Sequence, residues 1–182
     1  MKKTVLIAAE GFEEVEGLTV VDLLRRAGIE CQIVSLSGAE TITGSHGIRI
    51  SADVKFSETD FASLDGIILP GGMPGTKNLL DDTRVAEQLR SMCNAGKLVA
   101  AVCAAPTVLG KAGLLLGKHA TCYPGMENDL TGADYCTASV VCDGNLITSR
   151  GLGTAIPFAL ALVEYLEGRD AAELLSKRIV FS

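Results

Sequence analysis

What this sequence lacks already narrows its chemistry. No run approaches the roughly 18 consecutive apolar residues of a membrane span. The amino-terminal Met1-Lys2-Lys3-Thr4 leads straight into only five apolar residues, Val5 to Ala9, closed by Glu10-Gly11. A signal peptide needs a longer apolar stretch and a small-residue cleavage site, so the expectation is a cytoplasmic chain with no membrane partner. Among six cysteines no pair has C-x-x-C spacing, which removes the zinc-ribbon and thioredoxin patterns. The two histidines, His46 and His119, lie far apart in the chain, and no conventional Cys/His metal site is expected. No G-x-G-x-x-G follows a strand, and no G-x-x-x-x-G-K-[ST] occurs. No cofactor is expected. Net charge is −6, the wrong sign for a face that neutralises nucleic-acid phosphates.

What is present reads as one globular domain spanning residues 1–182. Apolar residues make up 48% and charged residues 21%, an ordinary mix. A chain of 182 residues can bury roughly 70% of its unfolded surface without a metal or disulfide staple. Short apolar runs with little alternation, at 4–9, 31–36, 66–69 and 97–102, fit strands covered on both faces. Helical patterns fall at 14–27, 82–95, 104–112, 153–167 and 170–178, with Asp170 and Glu173 spaced as a capping box for the last. Residues 139–148 read as a hairpin turning near Asp143-Gly144, and 48–54 as an edge strand. The alternation of strand and helix predicts an α/β fold: a doubly wound, mostly parallel sheet with helices on both faces.

Chemistry concentrates at the carboxyl ends of the strands, where open α/β sheets bind ligands. In Leu98-Val99-Ala100-Ala101-Val102-Cys103-Ala104-Ala105-Pro106 a buried strand meets a helix with almost no loop between, and Pro106 suits a first helical turn. Cys103 therefore sits on a tight elbow, with its sulfur against unpaired helix N–H groups that would favour a thiolate and lower its pKa. The other five cysteines read as small buried residues. Leu69-Pro70-Gly71-Gly72 ends a second strand at the same edge, and its adjacent glycines allow a nest of inward N–H groups for an oxyanion. Glu13, Glu14 and Glu16 open the first helix. Glu13 and Glu14 are expected to serve only the helix dipole. Glu16, among Val15, Gly17 and Leu18, is the candidate to share a proton with the thiol. Ser149-Arg150-Gly151 could rim the pocket.

These segments together resemble the ThiJ/PfpI superfamily, and within it the DJ-1 branch. The marks are Glu13-Glu14-Val15-Glu16 ahead of Asp22-Leu23-Leu24-Arg25-Arg26-Ala27-Gly28, then Leu69-Pro70-Gly71-Gly72, Ala101-Val102-Cys103-Ala104-Ala105-Pro106, and Thr148-Ser149-Arg150-Gly151-Leu152-Gly153-Thr154. The resemblance implies a flavodoxin-like fold and a homodimer joined largely through the first helix, with Arg26 reaching toward the partner's site. It implies Cys103 as nucleophile, Glu16 as its paired acid, and the amides of Gly72 and Ala104, with Gly71 alongside, as the oxyanion site. Ala104 stands where protease-like relatives carry a histidine, which argues against peptide hydrolysis. Tyr123 stands where close relatives place a histidine ahead of proline, His46 falls near a second pocket arginine, and Leu152 replaces a proline. The function so implied is cofactor-independent removal of small reactive aldehydes or glycated substrates, glyoxalase III-like or deglycase-like. The alternative is a non-enzymatic oxidative-stress sensor or redox-regulated chaperone working through Cys103.

Overall fold

The computed structural model describes residues 1–181. Its strands are β1 (Lys3–Ala8), β2 (Glu30–Ser35), β3 (Thr41–Thr43), β4 (Arg49–Ser51), β5 (Val54–Lys55), β6 (Gly66–Leu69), β7 (Leu98–Val102), β8 (His119–Ala120), β9 (Asp134–Tyr135), β10 (Val140–Asp143) and β11 (Leu146–Ser149). Its helices are α1 (Glu14–Arg26), α2 (Gly75–Asp81), α3 (Thr83–Asn94), α4 (Pro106–Lys111), α5 (Ala155–Glu167) and α6 (Arg169–Arg178). Seven strands form one sheet in the order β10-β11-β7-β6-β1-β2-β5. All of its neighbours pair in parallel except β10 with β11. This is the doubly wound α/β sheet that the strand–helix rhythm predicts.

Burial explains why the strands read as unbroken apolar runs. Val5 and Ile7 of β1 point into one core, with Ile67 of β6, Val99 of β7, Leu79 of α2, Leu89 of α3 and Leu109 of α4. Leu6 and Ala8 point into the other, with Ile68, Ala100, Val20 and Leu24 of α1, Phe158 of α5 and Leu175 of α6. Successive side chains of a strand face opposite ways, so a strand covered on both sides is apolar at most positions, and its few polar residues, such as Thr4 and Ser149, are buried with hydrogen-bond partners. Truncating Ile68, which is fully buried, to alanine should cost about 2–5 kcal/mol. Among the described residues no helix is long and apolar enough to cross a membrane.

Several expectations need correction. The stretch 48–54 is not one edge strand. Arg49–Ser51 pairs with Thr41–Thr43 in a separate hairpin, and only Val54–Lys55 joins the main sheet, beside β2. Helix α2 was not expected; it follows the Pro-Gly-Gly turn directly, its short apolar pattern hidden behind the loop residues. The helix expected over 104–112 begins two residues later, at Pro106. Asp170 caps nothing: α6 starts at Arg169 after Gly168 with no side-chain cap, and Glu173 instead takes Arg169 Nε at 2.8 Å. The hairpin at 140–149 turns where expected, with Asp143 opposite Leu146.

Candidate active site

Because β1, β6, β7 and β11 run in parallel, the segments that leave their carboxyl ends meet at one edge. Glu16 arrives on the first turn of α1, Gly71 and Gly72 follow β6, Cys103 follows β7, and Gly151 follows β11. Cys103 has φ 63°, in the left-handed region that non-glycine residues rarely occupy. Strain of this kind costs about 1–3 kcal/mol and persists only where the surroundings enforce it. Here Cys103 N donates to Ser149 O at 3.0 Å, and Cys103 O accepts from Tyr123 N at 2.8 Å. The sharp elbow expected from the missing loop is therefore present.

The glycine pair is fitted to this elbow by lack of side chains. A Cβ on Gly71 would lie 2.5 Å from Cys103 Cβ, 2.7 Å from Glu16 Oε2 and 3.1 Å from Cys103 Sγ. Gly72 has φ 90°, and a Cβ there would collide with the Phe12–Glu13 backbone. Glu16 is 1% exposed and its Oε2 accepts from Gly71 N at 3.0 Å. Its carboxyl and the Cys103 sulfur both lie against the Gly71 backbone, and that carboxyl and the backbone amides of Ala104 and Gly72 are near enough to the sulfur to act on its ionisation. The geometry thus brings together Cys103, Glu16, Gly71, Gly72 and Ala104.

The electrostatics reverse one expectation. Burial pushes the Glu16 carboxyl up to about 7; the charge on Glu13 adds to this, while the Cys103 thiol and the Gly71 amide work the other way. The Cys103 thiol is not lowered by a helix terminus. Burial first, then the neighbouring Glu16 carboxylate, push it up to about 12 against the pull of the Ala104 and Gly72 amides. Two physical reasons account for the error. Helix α4 has only six residues and hence little dipole, and a carboxylate beside a thiol opposes a second negative charge. The pair titrates as a unit, losing its first proton near neutrality and its second only in strong base. A thiolate at neutral pH exists here when Glu16 keeps the remaining proton and donates it to sulfur.

A cavity of about 390 Å³ opens on Cys103, lined by Gly72, Met73, Ala104, Tyr123 and Met126 among others, with Glu16 buried behind the sulfur. Tyr123 is about half exposed, and its ring lies beside Gly151. Arg150 does not line this cavity; its Nη1 donates to Thr137 O at 3.1 Å. Arg26 is at the far end of α1, ten residues and about 15 Å along the helix from Glu16, exposed and paired with Asp22 at 2.7 Å.

Glu13 and Glu14 do more than serve the helix dipole. Glu13 is the N-cap of α1, its Oε2 accepting from Glu16 N at 2.7 Å. The Glu13-x-x-Glu16 spacing is that of a capping box and could have revealed this from sequence. Glu14 is 2% exposed. Its carboxylate accepts from His46 N at 2.7 Å and Ile48 N at 3.4 Å, and meets Ser45 Oγ at 3.3 Å and His46 Nδ1 at 3.0 Å. Burial opposes its charge, but the His46 ring and the backbone amides outweigh it and hold Glu14 near 2. The ligand atoms of Glu13, Glu14 and His46 lie within 4.8 Å of one another. With the Glu14 oxygens already taken, and a helix N-terminus disfavouring a cation, they form a latch for the 44–48 turn rather than a metal cage. No sequence spacing links residues 14 and 46, so only the fold could show it.

The DJ-1/PfpI family model matches residues 2–165. The chain is 40% identical to protein dj-1beta of Drosophila melanogaster, covering 98% of this chain and 97% of that one. Over 95% of its length it is 35% identical to the glutathione-independent glyoxalase DJR-1.2 of Caenorhabditis elegans, covering 92% of that protein. The crystal structure of Drosophila DJ-1beta superposes with a TM-score of 0.96 at 39% identity, over 100% of this chain and 98% of that chain. Toxoplasma gondii DJ-1 in an oxidized form superposes with a TM-score of 0.96 at 32% identity, over the whole of both chains.

Proposed function

Given that this chain belongs to the DJ-1/PfpI family, we propose that it is a cofactor-independent enzyme that converts small 2-oxoaldehydes such as methylglyoxal to hydroxy acids. The observation that carries this reading is the buried Glu16 carboxyl placed against the Cys103 side chain across Gly71, with the Gly72 and Ala104 amides acting on the sulfur. A relative named as a glutathione-independent glyoxalase supports it.

The chemistry follows from one mobile proton. The Cys103 thiolate adds to the aldehyde carbon, forming a C–S bond, and the new alkoxide takes the Glu16 proton to give a hemithioacetal. The Glu16 carboxylate then removes the hydrogen from that same carbon. The electron pair shifts toward the adjacent ketone, whose oxygen faces the Gly72 and Ala104 amides as charge builds on it. The hemithioacetal hydroxyl proton passes to the former ketone oxygen, and reprotonation at the former ketone carbon, from Glu16, leaves a hydroxyacyl thioester. Water cleaves the thioester, releasing the hydroxy acid and restoring the Cys103–Glu16 pair and its proton. No external oxidant or reductant enters: aldehyde is oxidised and ketone reduced within one molecule, and methylglyoxal plus water becomes lactate. A glycated substrate would present the same carbonyl chemistry after release of its amine. The pocket acts within a homodimer, with exposed Val15 and Ile156 covered by a second copy, and in a reducing cytoplasm, consistent with six free cysteines.

Lactate formation from methylglyoxal, followed by proton NMR for wild type and Cys103→Ser, tests the proposal. Turnover abolished in the variant is expected; no turnover by wild type defeats it. A second reading draws on the oxidized form of a relative with the same fold. Peroxide would oxidise Cys103 to a sulfinate held by the same two amides and by protonated Glu16, and the protein would act as a sensor. A peroxide-dependent mass gain confined to Cys103, without any aldehyde turnover, selects this reading.

A further inference from the structure

Glu16 does not complete the capping box that its spacing with Glu13 sets up. In a full box the N3 glutamate reaches back to the N-cap amide. Here that amide is taken elsewhere: Glu13 N donates to Gly71 O at 2.8 Å, while Gly71 N donates to Glu16 Oε2 at 3.0 Å. The Glu13 side chain still caps, with Oε2 at 2.7 Å from Glu16 N. The N3 carboxyl is thereby released from the helix end and turned toward Cys103. One residue holds Glu16 by its backbone, binds the glycine loop that cradles the sulfur, and keeps its own carboxylate nearby in a site where it is only 8% exposed. Its other oxygen, Oε1, makes only a 3.9 Å ion-pair contact, with the exposed ring of His46.

We propose that Glu13 is a positioning residue for Glu16: by capping the helix with its side chain and holding the Gly71 loop with its backbone, it turns the Glu16 carboxyl toward Cys103 and sets its own carboxylate beside that pair. The proposal rests on the reading of Glu16 and Cys103 as a working pair. The other charged and titratable groups around Glu16 do not supply that neighbouring charge. Cys103 is the partner itself. The Glu14 carboxylate is turned into the 44–48 turn and bonded there. His46 is exposed and paired chiefly with Glu14. Arg150 points to Thr137. The Glu13 charge is the one that raises Glu16 proton affinity in addition to burial.

The test is the pH dependence of Cys103 alkylation by iodoacetamide, read by peptide mass over about pH 5 to 9 in wild type, Glu13→Gln and Glu13→Asp. Alkylation speeds up as the pair loses its first proton. Glutamine keeps an oxygen for the Glu16 amide but removes the charge, so the midpoint should fall by on the order of half a pH unit or more. Aspartate, a good N-cap, should restore the wild-type midpoint. An unchanged midpoint in Glu13→Gln overturns the proposal, as does an equal shift in both variants or a rate that shows no titration. Because alkylation does not require turnover, the result judges Glu13 even if methylglyoxal proves not to be a substrate.

Discussion

Replacing Glu16 by glutamine should stabilise the protein at high pH while cutting the proposed turnover by on the order of 10²-fold or more. A carboxyl held at about 7 against an ordinary 4.5 prefers its protonated form by about 3 kcal/mol, at ~1.4 kcal/mol per pH unit. The native pKa lies above the unfolded one, so the native state binds the extra proton. Stability from this group is complete below about pH 4.5, declines as pH rises, and is gone above about 7. At pH 8 the wild type therefore carries a buried carboxylate that glutamine does not. Glutamine also retains an oxygen for the Gly71 amide and is close in size. The variant should be more stable than wild type at pH 8 by up to about 3 kcal/mol, or about 6–12 °C in Tm for a chain of this size, and the two should converge near pH 4.5. Guanidinium unfolding of both proteins at the two pH values measures the difference while cancelling every other titrating group. A glutamine variant destabilised equally at both pH values would mean that burial does not govern Glu16, and the proton-sharing pair would fall with it.

Four further outcomes are expected. Gly71→Ala should reduce Cys103 alkylation and methylglyoxal turnover by on the order of 10²-fold or more, because the new methyl lies within 2.5–3.1 Å of Cys103 and Glu16 atoms and misplaced reacting groups cost about that much. Steady-state rates and labelling read this directly; wild-type rates would refute the fit. Glu14→Gln should loosen the 44–48 turn, raising hydrogen–deuterium exchange at the His46 and Ile48 amides, which now donate to Glu14; unchanged exchange would remove the latch. Cys103→Ser should lose turnover more completely than Glu16→Gln, since a hydroxyl in the same place is far harder to ionise. Light scattering should report about twice 19.0 kDa; a monomer would leave Arg26 with no partner site to reach.

The strands and most helices were legible because burial on both faces of a parallel sheet leaves an unmistakable apolar run, and because glycine and proline mark the helix ends. The elbow at Cys103 was legible for a subtler reason: strand and helix signals nearly touch, and only a sharp turn can join them. Helix α2 was not, since its seven residues are too few to display a helical period after a turn-like Pro-Gly-Gly. Nor was the division of 48–54 between two sheets, where strands of two or three residues carry almost no pattern. Helix-dipole chemistry accounts for any acidic residue at a helix start, so it masks the further roles of Glu13 and Glu14. Their actual partners, Gly71 and the 44–48 turn, are set by tertiary contact.

The direction of the Cys103 shift carries the larger lesson. A helix N-terminus after a cysteine suggests an easily ionised thiol, yet the short α4 offers little dipole, and burial of the sulfur, followed by the carboxyl beside it, prevails. Reactivity in such a site cannot come from a thiol that ionises alone. It has to come from where the pair's remaining proton sits: on sulfur the site is inert, on Glu16 it holds a thiolate with a proton donor already in contact. The amides of Gly72 and Ala104 favour the second arrangement by acting on the sulfur, and the amide of Gly71 favours the first by bonding to the Glu16 carboxylate. The Gly71-Gly72 turn therefore acts on both members of the pair at once, and the elbow strain at Cys103 is what places the sulfur within its reach.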